Sequence, residues 1–203
     1  MTNANCPIKS GCYDFDWAFL IGHLERLSRP PCAQDIAVLN YLDRVRKQWL
    51  NVILWVISLL GSIYFLAPIT LLILKQLIQS GQFADARYLT TSLFGVCIIA
   101  NVAKWTLKRP RPNLFHPFGV RPKDPSFPSA HSAQILTFTV SVLDLLHITS
   151  SSQSYAFAIA GFWIIALVCF SRVYLQMHYL SDIAAGIILG CGWLLAVNLL
   201  VRK

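Results

Sequence analysis

The sequence predicts an all-α, polytopic membrane bundle of about five spanning helices, preceded by amphipathic N-terminal helices. Three observations lead there. Only 13% of the 203 residues are charged and 56% are hydrophobic, against about 25% charged in an ordinary soluble domain. The mean hydropathy is +0.56. The apolar residues also gather in five runs rather than spreading along the chain. One isolated apolar run of about 15 residues suits a buried helix of a soluble protein, but five in a low-charge chain suit a membrane bundle.

Residues 1–50 form a segment apart. Cys6 to Tyr13 is polar and irregular. Asp14 to Leu27 carries Trp17, Leu20, Ile21, Leu24 and Leu27 at helical spacing and stops at Ser28-Arg29-Pro30-Pro31. Ile36, Leu39, Leu42 and Val45 repeat the pattern and run into Arg44, Arg46 and Lys47. Both read as short amphipathic helices that lie at the membrane interface or cap the bundle. No basic stretch precedes an apolar core with a small-residue cleavage site, so no signal peptide is expected.

The spans follow within residues 51–203. Val52 to Leu74 is 23 residues without a charge, enough to cross a hydrocarbon core of about 30 Å. Leu89 to Ala103, Ser132 to Leu146 and Tyr155 to Phe170 are shorter and border on polar residues. Ile183 to Val201 is a clean run of 19. Cys97, Cys169 and Cys191 fall inside spans, where cysteine is a small packing residue. Cys6, Cys12 and Cys32 lack zinc-ligand spacing, and a disulfide between two of them stays open if that end meets an oxidising compartment.

Lys and Arg number 17 against 9 Asp and Glu, a net charge of +8. In so apolar a chain this favours anionic lipid headgroups or a phosphate substrate over nucleic acid. Threading the runs through a bilayer puts Lys104 to His131 and Ser171 to Asp182 on one side. Lys75 to Tyr88, a Ser-rich loop at Thr149 to Ser154 and the C-terminus fall on the other. Polar residues at membrane depth are costly, and they collect on the first side: Lys104, Arg111, Ser129, His131, Arg172, His178 and Asp182. Opposite, Asp144 and His147 have no cation close in sequence.

Three fixed cations, Lys104, Arg111 and Arg172, suit a dianionic phosphate. Ser129, at the start of the third span, adds a hydroxyl to the free N–H groups of a helix N-terminus. His178 and Asp182 are four apart and share a helical face, so the carboxylate can fix the imidazole tautomer. His131 enters from another segment. A nucleophile, an acid and a cationic cradle are the parts that phosphoryl transfer through an enzyme intermediate requires. Taken singly each has a plainer reading: an interfacial histidine, a snorkelling cation, a helix cap.

Together the residues resemble a known family. Lys104-Trp-Thr-Leu-Lys-Arg-Pro-Arg111-Pro112 fits Lys-x6-Arg-Pro, Pro128-Ser129-Ala130-His131 resembles Pro-Ser-Gly-His, and Ser171-Arg172-x5-His178-x3-Asp182 fits Ser-Arg-x5-His-x3-Asp. This three-part signature is that of the type 2 phosphatidic acid phosphatase superfamily, which also holds bacterial acid phosphatases and vanadium haloperoxidases. The resemblance covers roughly Val52 to Lys203, and Leu60-Gly61-Ser62 with Tyr64 looks like the family's first core helix. It implies that residues 51–203 are a membrane phosphatase domain. It implies that His178 attacks phosphorus, Asp182 orients it, and His131 protonates the leaving group and then activates water. Lys104, Arg111, Ser129, Arg172 and the N–H near Ala130 would hold the phosphoryl oxygens, with no metal and no cofactor. Two positions depart from the pattern: Ala130 replaces Gly, keeping its N–H if the backbone is helical, and Leu180 replaces a frequent Pro.

The spans favour the lipid-phosphatase branch, acting on phosphatidic acid, phosphatidylglycerol phosphate, a polyprenyl pyrophosphate or a lipid A phosphate. A bacterial inner membrane with the site on its periplasmic face is implied. The positive-inside rule argues the reverse, because 13 of the 17 cations fall on the site side or the N-terminal segment. Lys108, Arg109, Arg121 and Lys123 are close enough to the motifs to serve the substrate and distort that count. A phosphotransferase on the same scaffold and a non-catalytic transporter or scaffold are the alternatives. The sequence leaves the oligomeric state open.

Overall fold

A computed structural model describes residues 31–115, 118–119, 122–146 and 151–201. The expectations for Asp14 to Leu27, for Cys6 and Cys12, for Arg121 and for His147 lie outside these residues.

The first described helix, α1 (Ala33–Arg44), starts at a capping box. Asp35 N–H donates to Cys32 Sγ at 3.4 Å, and Cys32 N–H donates to Asp35 Oδ2 at 3.3 Å. Its Leu39 and Leu42 are buried in a cluster with Leu54, Cys169, Val173, Tyr174 and Ile183. Of the two readings the sequence allowed, this helix therefore caps the bundle at the end that carries the motifs, leaving Tyr41 and Val45 exposed.

The charge-free run after it is broken into α2 (Gln48–Leu59) and α3 (Ile63–Gln79). Leu60, Gly61 and Ser62 form a turn rather than the continuous core helix that the resemblance suggested. One cause is local and one is tertiary. The Ser62 hydroxyl accepts from Tyr64 N–H at 3.3 Å, capping α3. At Gly61 the chain passes so near its neighbours that a Cβ would stand 2.6 Å from Val168 Cγ1 and 3.4 Å from His131 Cβ. The broken pair still forms one apolar crossing, Gln48–Gln79.

The remaining helices are α4 (Phe83–Leu107), α5 (Ala130–Leu145), α6 (Ser151–Tyr174) and α7 (Leu180–Val201). The expected Ser-rich loop is thus helical from Ser151 onward. Each of the five apolar runs lies in this bundle, and among the described residues four crossings are long and apolar enough for a membrane. The exception is α5, whose 16 residues span about 24 Å. It packs against α4, α6 and α7, so its Ser132, Gln134, Thr137 and Ser141 are buried against protein rather than lipid.

Cross-links at the two ends verify the predicted alternation. At one end Lys47 N–H donates to Tyr174 Oη (2.9 Å) and Ser129 N–H to Asp182 O (3.0 Å). At the other Arg87 Nη2 donates to Val201 O (3.4 Å) and Tyr88 Oη to Asp144 Oδ2 (3.1 Å). Asp144, which looked isolated in sequence, has a phenolic partner there.

Candidate active site

All three motifs meet at the end closed by α1. Lys104 lies in the last turn of α4, which ends where Lys108 turns left-handed (φ 47°). Pro110 and Pro112 then forbid a continued helix. Ser126 fixes this departing segment, donating its N–H to Arg109 O (2.8 Å) and its hydroxyl to Pro110 O (3.0 Å). Arg111 is held on three sides, by Asp124 O (2.9 Å), Met177 O (2.9 Å) and Asp124 Oδ1 (2.7 Å).

The spacing between Arg172 and His178 follows from a helix end. After α6 stops at Tyr174, Gln176 adopts φ 59°, and the N–H groups of Met177 and His178 both fold back onto Arg172 O (3.1 and 3.2 Å). Gln176 anchors the turn through its side-chain amide, which donates to Leu39 O of α1 at 3.3 Å. The Arg172 guanidinium is tied to Ser58 Oγ on α2 at 2.7 Å.

His178 is almost wholly buried, with Nδ1 3.3 Å from Asp182 Oδ2 and Nε2 3.2 Å from Arg111 Nη1. Its tautomer follows from these partners. A carboxylate accepts and a guanidinium only donates, so the proton is on Nδ1 and the Nε2 lone pair faces Arg111. Burial pushes the His178 pKa well below the ordinary 6.5, and the cations of Arg111, Arg172 and Lys104 push it the same way. The imidazole is therefore neutral at neutral pH.

Ser129 caps α5, its hydroxyl oxygen accepting from Ser132 N–H (3.5 Å) and Ser132 Oγ–H (3.0 Å). That leaves its own proton to donate. Ala130 is the first residue of α5, so the helical condition set by its replacement of Gly is met. His131 follows, and Arg172, His178, Lys104 and Arg111 all act on its ring electrostatically. Every residue singled out from the motifs is thus brought to one end of the bundle.

Three further residues escaped the sequence reading: Asp124, Asp35 and Ser181. Asp124 pairs with both Lys104 and Arg111 and is itself half-buried. Burial raises its carboxyl, but the hydrogen bonds and charges of those two cations outweigh this and hold it below the usual range. Asp35 and Ser181 bind each other and Arg109. Arg109 needs a correction: it does not face the cradle but pairs with Asp182 and Asp35, 3% exposed. Lys108 and Lys123 are exposed at the surface.

A family model described as the PAP2 superfamily matches residues 85–203. Phosphatidylglycerophosphatase B of Bacillus subtilis (strain 168) is 34% identical over 164 residues, 77% of each chain. Lipid A 1-phosphatase of Rhizobium etli is 31% identical over 114 residues, 52% of this chain and 45% of that one. Among solved structures, the transmembrane PAP2 type phosphatidylglycerolphosphate phosphatase from Bacillus subtilis superposes with a TM-score of 0.78 at 26% identity, covering 89% of this chain and 93% of that one. Aquifex aeolicus LpxE shares the fold, with a TM-score of 0.64 at 19% identity over 85% of this chain and 97% of that one.

Proposed function

The chain belongs to the PAP2 superfamily, and from that premise we propose that it hydrolyses a phosphomonoester or pyrophosphate on a membrane lipid through a phosphohistidine at His178. The observation that carries this reading is the His178 tautomer. Asp182 Oδ2 accepts the Nδ1–H hydrogen bond, and the Nε2 lone pair faces Arg111, with Arg172 and Lys104 acting on the same ring. A histidine held only for packing has no need of three cations gathered around its unprotonated nitrogen.

The reaction proceeds by two displacements at phosphorus. Nε2 attacks phosphorus as the ester P–O bond breaks, and His131, whose cationic form burial and the neighbouring cations disfavour until the phosphate dianion binds beside it, gives its proton to the departing oxygen. His131, now neutral, takes a proton from water, whose oxygen attacks phosphorus and breaks the N–P bond. Inorganic phosphate leaves and His178 is regenerated. Lys104, Arg111, Arg172 and Ser129, with the first N–H groups of α5 near Ala130, hold the equatorial oxygens, where charge develops.

Phosphatidylglycerol phosphate is the first substrate to assay, because the 34%-identical relative is named for it. Phosphatidic acid, a polyprenyl pyrophosphate and a lipid A phosphate complete the panel. The purified protein is expected to release inorganic phosphate from at least one; release from none overturns the proposal. Adding an acceptor lipid separates hydrolysis from phosphotransfer. We place the site on the periplasmic face of a bacterial inner membrane. Burial of Arg109 in ion pairs removes a fourth cation, beyond Lys104, Arg111 and Arg172, from the count that argues the reverse. A reporter fused in the 149–154 segment is expected inside, and an external signal reverses the orientation.

Asp124 adds a further expectation. Its carboxylate sits on Lys104 and Arg111, the cations assigned to phosphate. Asp124→Asn keeps the shape and removes the competing charge, so inhibition by inorganic phosphate is expected to tighten about 2- to 5-fold, the size of a part-exposed ion pair. Unchanged or weaker inhibition means Asp124 does not compete for the cradle.

A further inference from the structure

The catalytic reading leaves a second, equally buried charge cluster unused. Asp182 has two carboxylate oxygens, and His178 and Tyr179 N–H (2.9 Å) occupy only Oδ2. Its Oδ1 takes Arg109 Nη1 at 2.6 Å. The other amino group of the same guanidinium, Nη2, reaches Asp35 Oδ2 at 2.9 Å. Asp35 in turn accepts the N–H of Ser181 at 2.9 Å and its hydroxyl at 2.6 Å. One planar fork thus bridges two carboxylates, seated over the Tyr179 ring at 4.6 Å.

We propose that Arg109 and Asp35 are positioning residues for the reaction, acting through Asp182 on the orientation of His178. This inference rests on the phosphohistidine reading. Three features separate it from a merely structural ion pair. Desolvating an Arg and two Asp residues costs more than their attraction returns unless geometry is fixed on every side, and here each carboxylate oxygen has a donor. The pair also joins segments distant in sequence, with α1 lying outside the stretch that the family model matches. Finally, α1 grips the His178 segment at both ends: Leu39 O holds Gln176 before it, and Asp35 holds Ser181 after it. An N-terminal helix that the sequence allowed as an interfacial element or a cap of the bundle is, on this account, part of the site.

Asp35→Asn keeps an acceptor for Ser181 and loses the charge that faces Arg109. Arg109→Lys keeps a cation and loses the fork. Ser181→Ala is the mild variant, for use if either of the others folds poorly. Each is assayed with a short-chain phosphatidic acid for kcat, KM and inhibition by inorganic phosphate, beside a thermal unfolding curve. The expectation is a kcat lowered about 10- to 100-fold, as for outer partners of an oriented histidine. KM and phosphate inhibition should move less than about 2-fold, because the phosphate cradle is untouched. Arg109→Lys should recover part of what Arg109→Ala loses.

Loss that merely tracks the unfolded fraction, or KM and phosphate inhibition worsening together, overturns the inference. His178→Ala runs alongside. If it is inactive while Asp35→Asn and Arg109→Lys are fully active, only this inference fails. If it retains full turnover, the phosphohistidine reading fails and takes this one with it.

Discussion

His178→Ala is expected to lower kcat by about 10⁴- to 10⁶-fold, the scale seen when a covalent nucleophile is removed. The same change should leave binding of inorganic phosphate within a few-fold. Both halves follow from the geometry. In the proposed mechanism Nε2 is the atom that bonds to phosphorus, so no residual route through the enzyme intermediate survives its removal. The cradle is built elsewhere: Arg111 keeps Met177 O and Asp124, and Arg172 keeps Ser58. Stability should fall much less than activity, since deleting one buried hydrogen-bonded side chain costs about 1–3 kcal/mol and Asp182 Oδ2 keeps Tyr179 N–H. His131→Ala should also stop turnover, but by another route. With p-nitrophenyl phosphate, whose leaving group needs no proton, it is expected to accumulate phosphoenzyme that His178→Ala never forms. Acid quench and phosphohistidine detection distinguish the two. Turnover by His178→Ala at the parental rate sinks the mechanism.

The site was legible in the sequence to the extent that its chemistry is local. The Arg172 to His178 interval is one helix C-terminus plus a turn, and the His178 to Asp182 interval is the start of the next helix. Such intervals are set by backbone geometry over a few residues, so spacing carries them. Arg109 was misassigned because its sequence neighbours, Lys104 and Arg111, are the cations assigned to the proposed cradle. Its partners Asp35 and Asp182 stand 74 and 73 positions away, and nothing in spacing brings them together. Asp35 did carry a signal: Cys32 followed three residues later by Asp35, just before an amphipathic run, has the form of a capping box. That pattern explains a helix start but not a catalytic neighbour. Asp124 gave no signal at all, being an ordinary acidic residue in a loop. The break between α2 and α3 was hidden because hydropathy is blind to it: Gly61 and Ser62 are as tolerable inside a span as at a turn, and the Ser62 cap with the approach of Val168 and His131 decides.

Gly186→Ala is expected to reduce kcat by about 100-fold or more, whereas Gly190→Ala, one turn further along α7, should have a much smaller effect. On helix propensity alone both changes should stabilise, by up to about 1 kcal/mol, so the sign is decided by packing. The two glycines form a small-xxx-small face on which α5 lies. At Gly190 a new Cβ meets the tip of Leu136 at 2.9 Å, a flexible side chain that can turn aside, and Ala133 O at 3.2 Å. At Gly186 it meets Ser129 O at 2.5 Å and Ser132 Cβ at 3.1 Å. Ser129 O is backbone at the cap of α5 and accepts from Ala133 N–H at 3.2 Å, so it cannot turn away. Relief requires moving the start of α5 by about 1 Å, a displacement that costs on the order of 10² in rate when it separates reacting groups. It separates them here, because Ser129 N–H donates to Asp182 O and thereby sets His131 and the phosphate-binding helix start against His178. Overpacking adds about 1–3 kcal/mol of destabilisation, which a thermal midpoint would register separately. A Gly186→Ala variant with parental kcat and a raised midpoint would mean that the contact between α5 and α7 does not hold the two histidines in register.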